Sequence, residues 1–213
     1  QANRLRMLRR SSWITGIILL TIGGIYTGVF SAVEAAGIGA FLAVIVTVIR
    51  GQLTFANISE VLTETLKSSG TVFMILFGAF VFKTFIGFSS ITYDLSLWVE
   101  TQAWSGYQVV LVFLLIYIIL GMFMDGFAIL VLTVPLVQPI IEPLGINMIW
   151  FGVLIVIVLE MGLISPPVGM NVFVVKGIAQ GVSLQTIFSG IWTFWFAMMG
   201  CVILVLLFTD IAM

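Results

Sequence analysis

"LEMGLISPPVGMNVFVVKGIA", residues 159–179, puts adjacent prolines, helix-weakening glycines, a carboxylate and an amide into the most apolar part of the chain. Neither Pro166 nor Pro167 has a backbone N–H to donate. The carbonyls about four residues upstream, around Gly162 and Leu163, therefore lose the partners that a helix would supply. In hydrocarbon such oxygens require another donor, a water or a cation. Ser165 adds a hydroxyl, Gly169 permits unusual backbone angles and Asn171 adds an amide. Two readings stay open on these residues alone. One is an ion site of carbonyl and hydroxyl oxygens, suited to a hard cation such as sodium. The other is a proline kink satisfied by neighbouring helices.

The break matters because the chain around it reads as membrane. Of 213 residues, 62% are hydrophobic and only 8% charged, which no soluble core with a polar shell would need. Several apolar runs approach the roughly 20 residues that cross a bilayer as helix, and none alternates with the period of two of an outer-membrane strand. The fold class expected is all-α, a polytopic membrane protein. With no His and only Cys201, the chain has no ordinary His/Cys metal cluster, no Ser/His/Asp triad and no intrachain disulfide. The formal net charge of −1 conceals Arg4, Arg6, Arg9 and Arg10 ahead of the first apolar run. That cluster marks a cytoplasmic flank and not a nucleic-acid surface. The first run lacks a convincing cleavage site and continues into a second, so it is expected to remain as a span.

Outward from the break, residues 13–30 and 32–49 read as a helical hairpin that brings Arg50 back to the basic side. Gly24 and Gly28 suit close helix packing. Residues 52–67 interleave Leu53, Ile58, Val61 and Leu66 with Asn57, Glu60, Glu64 and Lys67, as an interfacial amphipathic helix would, and a span is expected from Gly70 to Phe88. Residues 91–104 form a second interfacial segment, with Trp98 and Trp104 as headgroup anchors. Residues 107–142 are too long for one span and are interrupted at Gly121 to Gly126. A re-entrant hairpin fits better than two spans, because irregular backbone is tolerated at depth only where protein or water covers it. A last span is expected from Leu184 to Phe208. The resulting divisions are residues 1–50, 51–106, 107–180 and 181–213.

Asp125 lies between two glycines near the hairpin interruption, where an acid is costly and usually functional unless it is a surface loop carboxylate. Glu160 and Lys176 flank the broken stretch without a spacing that would pair them, and Lys176 suits a snorkelling position. Glu34 and Lys83 suit interfacial positions.

Three ordered motifs carry a family resemblance: "GGIYTGVFSAVEAAGIGAF" at residues 23–41, "GMFMDGFAILVLTVPLVQPII" at 121–141, and the Pro-Pro-Val-Gly of 166–169. The chain resembles the C-terminal half of the large membrane subunit of TRAP transporters, the tripartite ATP-independent periplasmic carriers of organic acids. It departs from the family at Ser31, Ala32 and Val33, where a Thr-Pro-Thr series is usual. The resemblance implies an elevator-type transporter half in a bacterial inner membrane, in which residues 107–180 move and the interfacial segments stay with the scaffold. It implies sodium-driven import of an organic acid of the sialic acid or dicarboxylate class. The partners implied are a periplasmic substrate-binding protein and a small TRAP membrane subunit, with the lipid bilayer around them. Carried over residue by residue, a sodium site falls on Gly121, Gly162, Ser165 and Val168. Asp125, Pro166, Pro167, Gly169 and Asn171 become substrate-site or supporting residues, and no catalytic residue is expected. The alternatives are an intramembrane enzyme with Asp125 as acid, which lacks a partner carboxylate, and a channel or structural subunit, for which no filter-like motif is present.

Overall fold

The computed structural model describes residues 2–179 and 181–213, and side chains from residue 12 onward. The side chains of Arg4, Arg6, Arg9 and Arg10 lie outside the described residues. Everything regular among the described residues is helical. The chain divides into two compact units, residues 1–71 and 72–213.

In the first unit, α1 (Ala2–Tyr26) and α2 (Ala32–Ile49) pack as the expected hairpin. Its turn is made by local chemistry. Gly28 adopts φ +74°, a left-handed conformation open to glycine, and the N–H groups of Val29 and Phe30 both donate to the Gly24 carbonyl. This folds the Phe30 ring onto Gly24, where an added Cβ would lie 2.2 Å from it. Gly24 thus accommodates its own turn, and Gly28, with open space around it, serves conformation and not packing. Ser31 then caps α2 in a reciprocal box with Glu34, whose carboxylate takes the Ser31 N–H at 2.8 Å. The hydroxyl required for this cap survives the departure at residues 31–33.

The expected division between an interfacial helix at 52–67 and a span from Gly70 is corrected by the structure. A single helix, α3 (Phe55–Phe88), runs through 34 residues, roughly 51 Å at the usual rise. The change from polar to apolar composition occurs along one helix, because Ser68, Ser69 and Gly70 weaken it without removing any N–H.

In the second unit, α4 (Ile91–Thr101) precedes a turn in which Trp104 meets Trp98 edge to face, with ring centroids 5.3 Å apart. Next come α5 (Gly106–Gly121) and α6 (Gly126–Ile141), paired as a helical hairpin around the interruption read from the sequence. The pair is tied at its middle by a 2.7 Å hydrogen bond between the Tyr117 and Thr133 hydroxyls. Following α6, a 3-10 turn at Glu142–Leu144 and a left-handed Gly145 lead to the Asn147 cap of α7 (Met148–Leu163). Residues 164–169 separate α7 from the short α8 (Met170–Ile178), and α9 (Leu184–Leu207) closes the unit. The core surrounds α7, where Phe151, Leu154, Val158 and Met161 are almost wholly buried. Trp150 pins α7 to α9 by donating its indole N–H to the Val205 carbonyl at 2.7 Å.

Many large apolar side chains are exposed. Phe73, Met74, Phe77, Phe80 and Phe85 of α3 all face outward, as lipid-facing side chains do. Four described helices are long and apolar enough to cross a membrane: α2, α3, α9, and α6 with its following turn. By contrast, α5 and α7 have 16 residues each, about 24 Å, short of the roughly 30 Å hydrocarbon core. The chain is an all-helical polytopic membrane protein.

Candidate functional site

The ends of α5 and α7 meet at two glycines. A Cβ built on Gly162 would lie 2.7 Å from both the Gly121 Cα and the Ile118 carbonyl oxygen. One built on Gly121 would lie 3.0 Å from the Leu159 oxygen. Backbone therefore touches backbone, the kind of approach that lets helices associate where lipid removes the hydrophobic drive between them. Two of the predicted sodium ligands, distant in sequence, are brought together in this way.

The carbonyls around this contact are unevenly satisfied. Gly162, expected to lose its partner to Pro166, has instead recruited the N–H groups of Ile164 and Ser165, the latter at 2.9 Å. That corrects half of the proline argument. The carbonyls of Leu163, Gly121 and Val168 accept no backbone hydrogen bond among the described residues. Both α5 and α7 also point their C-terminal ends at this region, and each end carries a partial charge of about −0.5 from the aligned peptide dipoles. A cation is the species such an arrangement favours.

Ser165 is a buried polar side chain, 3% exposed. Its hydroxyl donates to the Met161 carbonyl at 2.6 Å and accepts the indole N–H of Trp195, on α9, at 3.0 Å. Pro166 and Pro167 are exposed and Val168 is half-buried. Gly169, at φ +60°, turns the chain into α8, and an added Cβ there would lie 3.1 Å from the Ser165 carbonyl oxygen. The N-terminus of α8 has no side-chain cap, and Asn171 is exposed beside it. An uncapped helix N-terminus offers N–H groups and positive potential to an anion.

Asp125 has a defined structural task. It is the N-cap of α6, and its Oδ1 accepts from the N–H groups of Phe127 at 3.0 Å and Ala128 at 3.3 Å. The residue is exposed, and its other oxygen has no described partner. Asp125→Ala is expected to cost about 1 kcal/mol through loss of the cap, whereas Asp125→Asn keeps the cap and should cost a few tenths. Thermal unfolding of the two variants checks this, and equal destabilisation would show that charge and not capping holds the turn. Lys176 does not simply extend outward, since its ammonium donates to the Val182 carbonyl. Glu160 is exposed on α7, with no partner among the described residues.

Trp195 and Phe188 were missed by sequence reasoning. Tryptophans on a terminal apolar span read as interfacial anchors, and nothing local signals a bond to a serine 30 residues away.

Comparison with known families settles the ancestry of this arrangement. Residues 1–211 match the model for the tripartite ATP-independent periplasmic transporter, DctM component. The chain belongs to the DctM family. Similar proteins include the C4-dicarboxylate TRAP transporter large permease protein DctM of Rhodobacter capsulatus, 29% identical over 92% of this chain and 45% of that protein. The sialic acid large permease SiaM of Vibrio cholerae is 29% identical over 84% of this chain and 42% of its own length. The 2,3-diketo-L-gulonate large permease YiaN of Escherichia coli is 30% identical over 79% and 40% respectively. This DctM-family chain thus spans about half the length of the relatives it matches. Membership in a permease family argues against the intramembrane-enzyme alternative.

Proposed function

We propose that this chain forms the C-terminal half of a large permease that imports an organic acid by sodium symport in a bacterial inner membrane. The observation that carries the reading is the backbone contact of Gly121 with Gly162 at the ends of α5 and α7, three residues before the buried Ser165, with the carbonyls of Gly121, Leu163 and Val168 free of backbone donors among the described residues. Sodium, as a hard cation, suits oxygens of that kind, and the Gly121 and Val168 carbonyls with the Ser165 hydroxyl would hold it, while Gly162, whose carbonyl already accepts two N–H groups, supplies the close backbone contact. The cation supplies positive charge next to the uncapped start of α8, and together they favour a carboxylate substrate. Pro167, Gly169 and Asn171 border that position, and Asp125 stiffens the hairpin tip as the α6 cap.

Relatives named for C4-dicarboxylates, sialic acid and 2,3-diketo-L-gulonate support the organic-acid class. Membership in the family supports delivery by a periplasmic binding protein and assembly with a small membrane subunit. Short α5 and α7 support re-entrant or broken elements that move together as an elevator past a scaffold containing α3 and α4. The test is uptake of a radiolabelled C4-dicarboxylate or sialic acid by the intact transporter in vesicles, with its binding protein present. An inward sodium gradient should drive accumulation, and potassium substitution should reduce it at least tenfold. Uptake indifferent to sodium rejects the symport reading.

A further inference from the structure

We propose that Trp195 is a positioning residue of the ion site, fixing the Ser165 hydroxyl so that its one remaining lone pair has a set direction for sodium. This rests on the sodium reading of the preceding section and names a residue outside the motifs that led to it.

A serine hydroxyl has one hydrogen and two lone pairs. The hydrogen is committed to the Met161 carbonyl at 2.6 Å, the back-bond a helical serine makes by default. One lone pair accepts the Trp195 N–H at 3.0 Å, so a single lone pair remains. With Ser165 3% exposed, bulk water has little access to replace the indole. An indole is a donor only, so it can neither compete for the ion nor reverse the direction of the bond.

The indole is itself held. Trp195 meets Trp192 and Phe196 edge to face, with centroids 5.6 and 5.5 Å away. Two turns earlier on α9, the Phe188 ring lies 3.4 Å from a Cβ built on Gly169. Residues 188 and 195 are i and i+7 and share a face, so α9 braces both ends of the 165–169 break. A ligand oxygen oriented before the ion arrives does not have to be immobilised on binding, and this is where the effect on affinity comes from.

The test is Trp195→Phe in the intact reconstituted transporter, which keeps an aromatic ring and removes the donor. The sodium concentration for half-maximal uptake should rise on the order of fivefold, the equivalent of immobilising one side chain. Maximal uptake at saturating sodium should stay within about twofold of wild type. In a Ser165→Ala background, Trp195→Phe should add nothing, because the hydroxyl it orients is gone. Equal shifts in both backgrounds, or a loss of maximal uptake without a sodium shift, would assign Trp195 to packing and overturn the proposal.

A second measurement covers the case in which Trp195→Phe does not fold. With 15N-labelled tryptophan, one indole N–H resonance of the wild type should move on sodium addition, and Ser165→Ala should abolish that response. Absence of any sodium-sensitive indole signal overturns the role. A wild type without sodium dependence removes the ion site itself, and the Trp195 role with it. A sodium-dependent wild type with additive variants removes only the role of Trp195.

Discussion

Gly162→Ala is expected to reduce uptake at least tenfold and to lower thermal stability. The added methyl would sit 2.7 Å from the Gly121 Cα, 2.7 Å from the Ile118 oxygen and 2.9 Å from the Gly121 carbonyl carbon. All three are backbone atoms, so no rotamer change relieves the clash and α5 must move away from α7. Overpacking typically costs about 1–3 kcal/mol, and a clash confined to backbone belongs at the upper end. The same displacement moves the Gly121 carbonyl, a proposed ion ligand, so transport should fall by more than stability alone predicts. Gly152→Ala is the control. It lies in the same helix with nothing within 4 Å of the new methyl, and it should leave folding intact. Gly121→Ala, with nearest atoms at 3.0 and 3.1 Å, should fall between the two. Uptake and unfolding temperature, measured side by side, decide it. If Gly162→Ala retains both, the helix crossing does not depend on the missing Cβ.

Ser165→Ala is expected to raise the sodium concentration for half-maximal transport about tenfold, the equivalent of about 1.4 kcal/mol of lost ion binding. It should also destabilise the protein, because the Trp195 N–H and the Met161 carbonyl lose a buried partner, at about 1–3 kcal/mol for a stranded polar group. The two effects separate by experiment. Saturating sodium should restore much of the uptake if the hydroxyl is a ligand, whereas a hydroxyl that only satisfies the kink would lower stability and leave the sodium dependence unchanged. Ser165→Thr keeps the hydroxyl and its back-bond, so its sodium shift should be small, with some strain from a methyl placed in a site only 3% exposed. Unchanged sodium dependence in a folded Ser165→Ala protein makes residues 162–169 a structural kink.

Much of the fold was legible locally. Prolines, glycines and caps act within a few residues, so the interruptions at 121–126 and 164–169, the turn at 27–31 and the last span all fall where the sequence places them. The continuity of α3 shows that a change of polarity along the chain is not an element boundary. A helix ends when backbone hydrogen bonding or dihedral geometry fails, and residues 67–71 contain no proline to cause that. Asp125 was legible as important, but its capping role depended on φ −64° and ψ 138° at the turn, angles that become definite only once α6 is in place.

By itself the sequence determined the solvent, the helical class, the positions of the broken segments and the family, because each rests on composition or on chemistry within one turn of helix. The tertiary structure decided which carbonyls kept donors, which glycines touch and which side chain faces Ser165. Gly162 kept a partner by bonding Ser165 N–H in place of the one Pro166 removed. Gly121 meets Gly162 only because α5 and α7 cross there, and Trp195 reaches Ser165 only because α9 packs across the break. Local chemistry can expose a carbonyl or vacate a Cβ, but what fills the space depends on long-range packing.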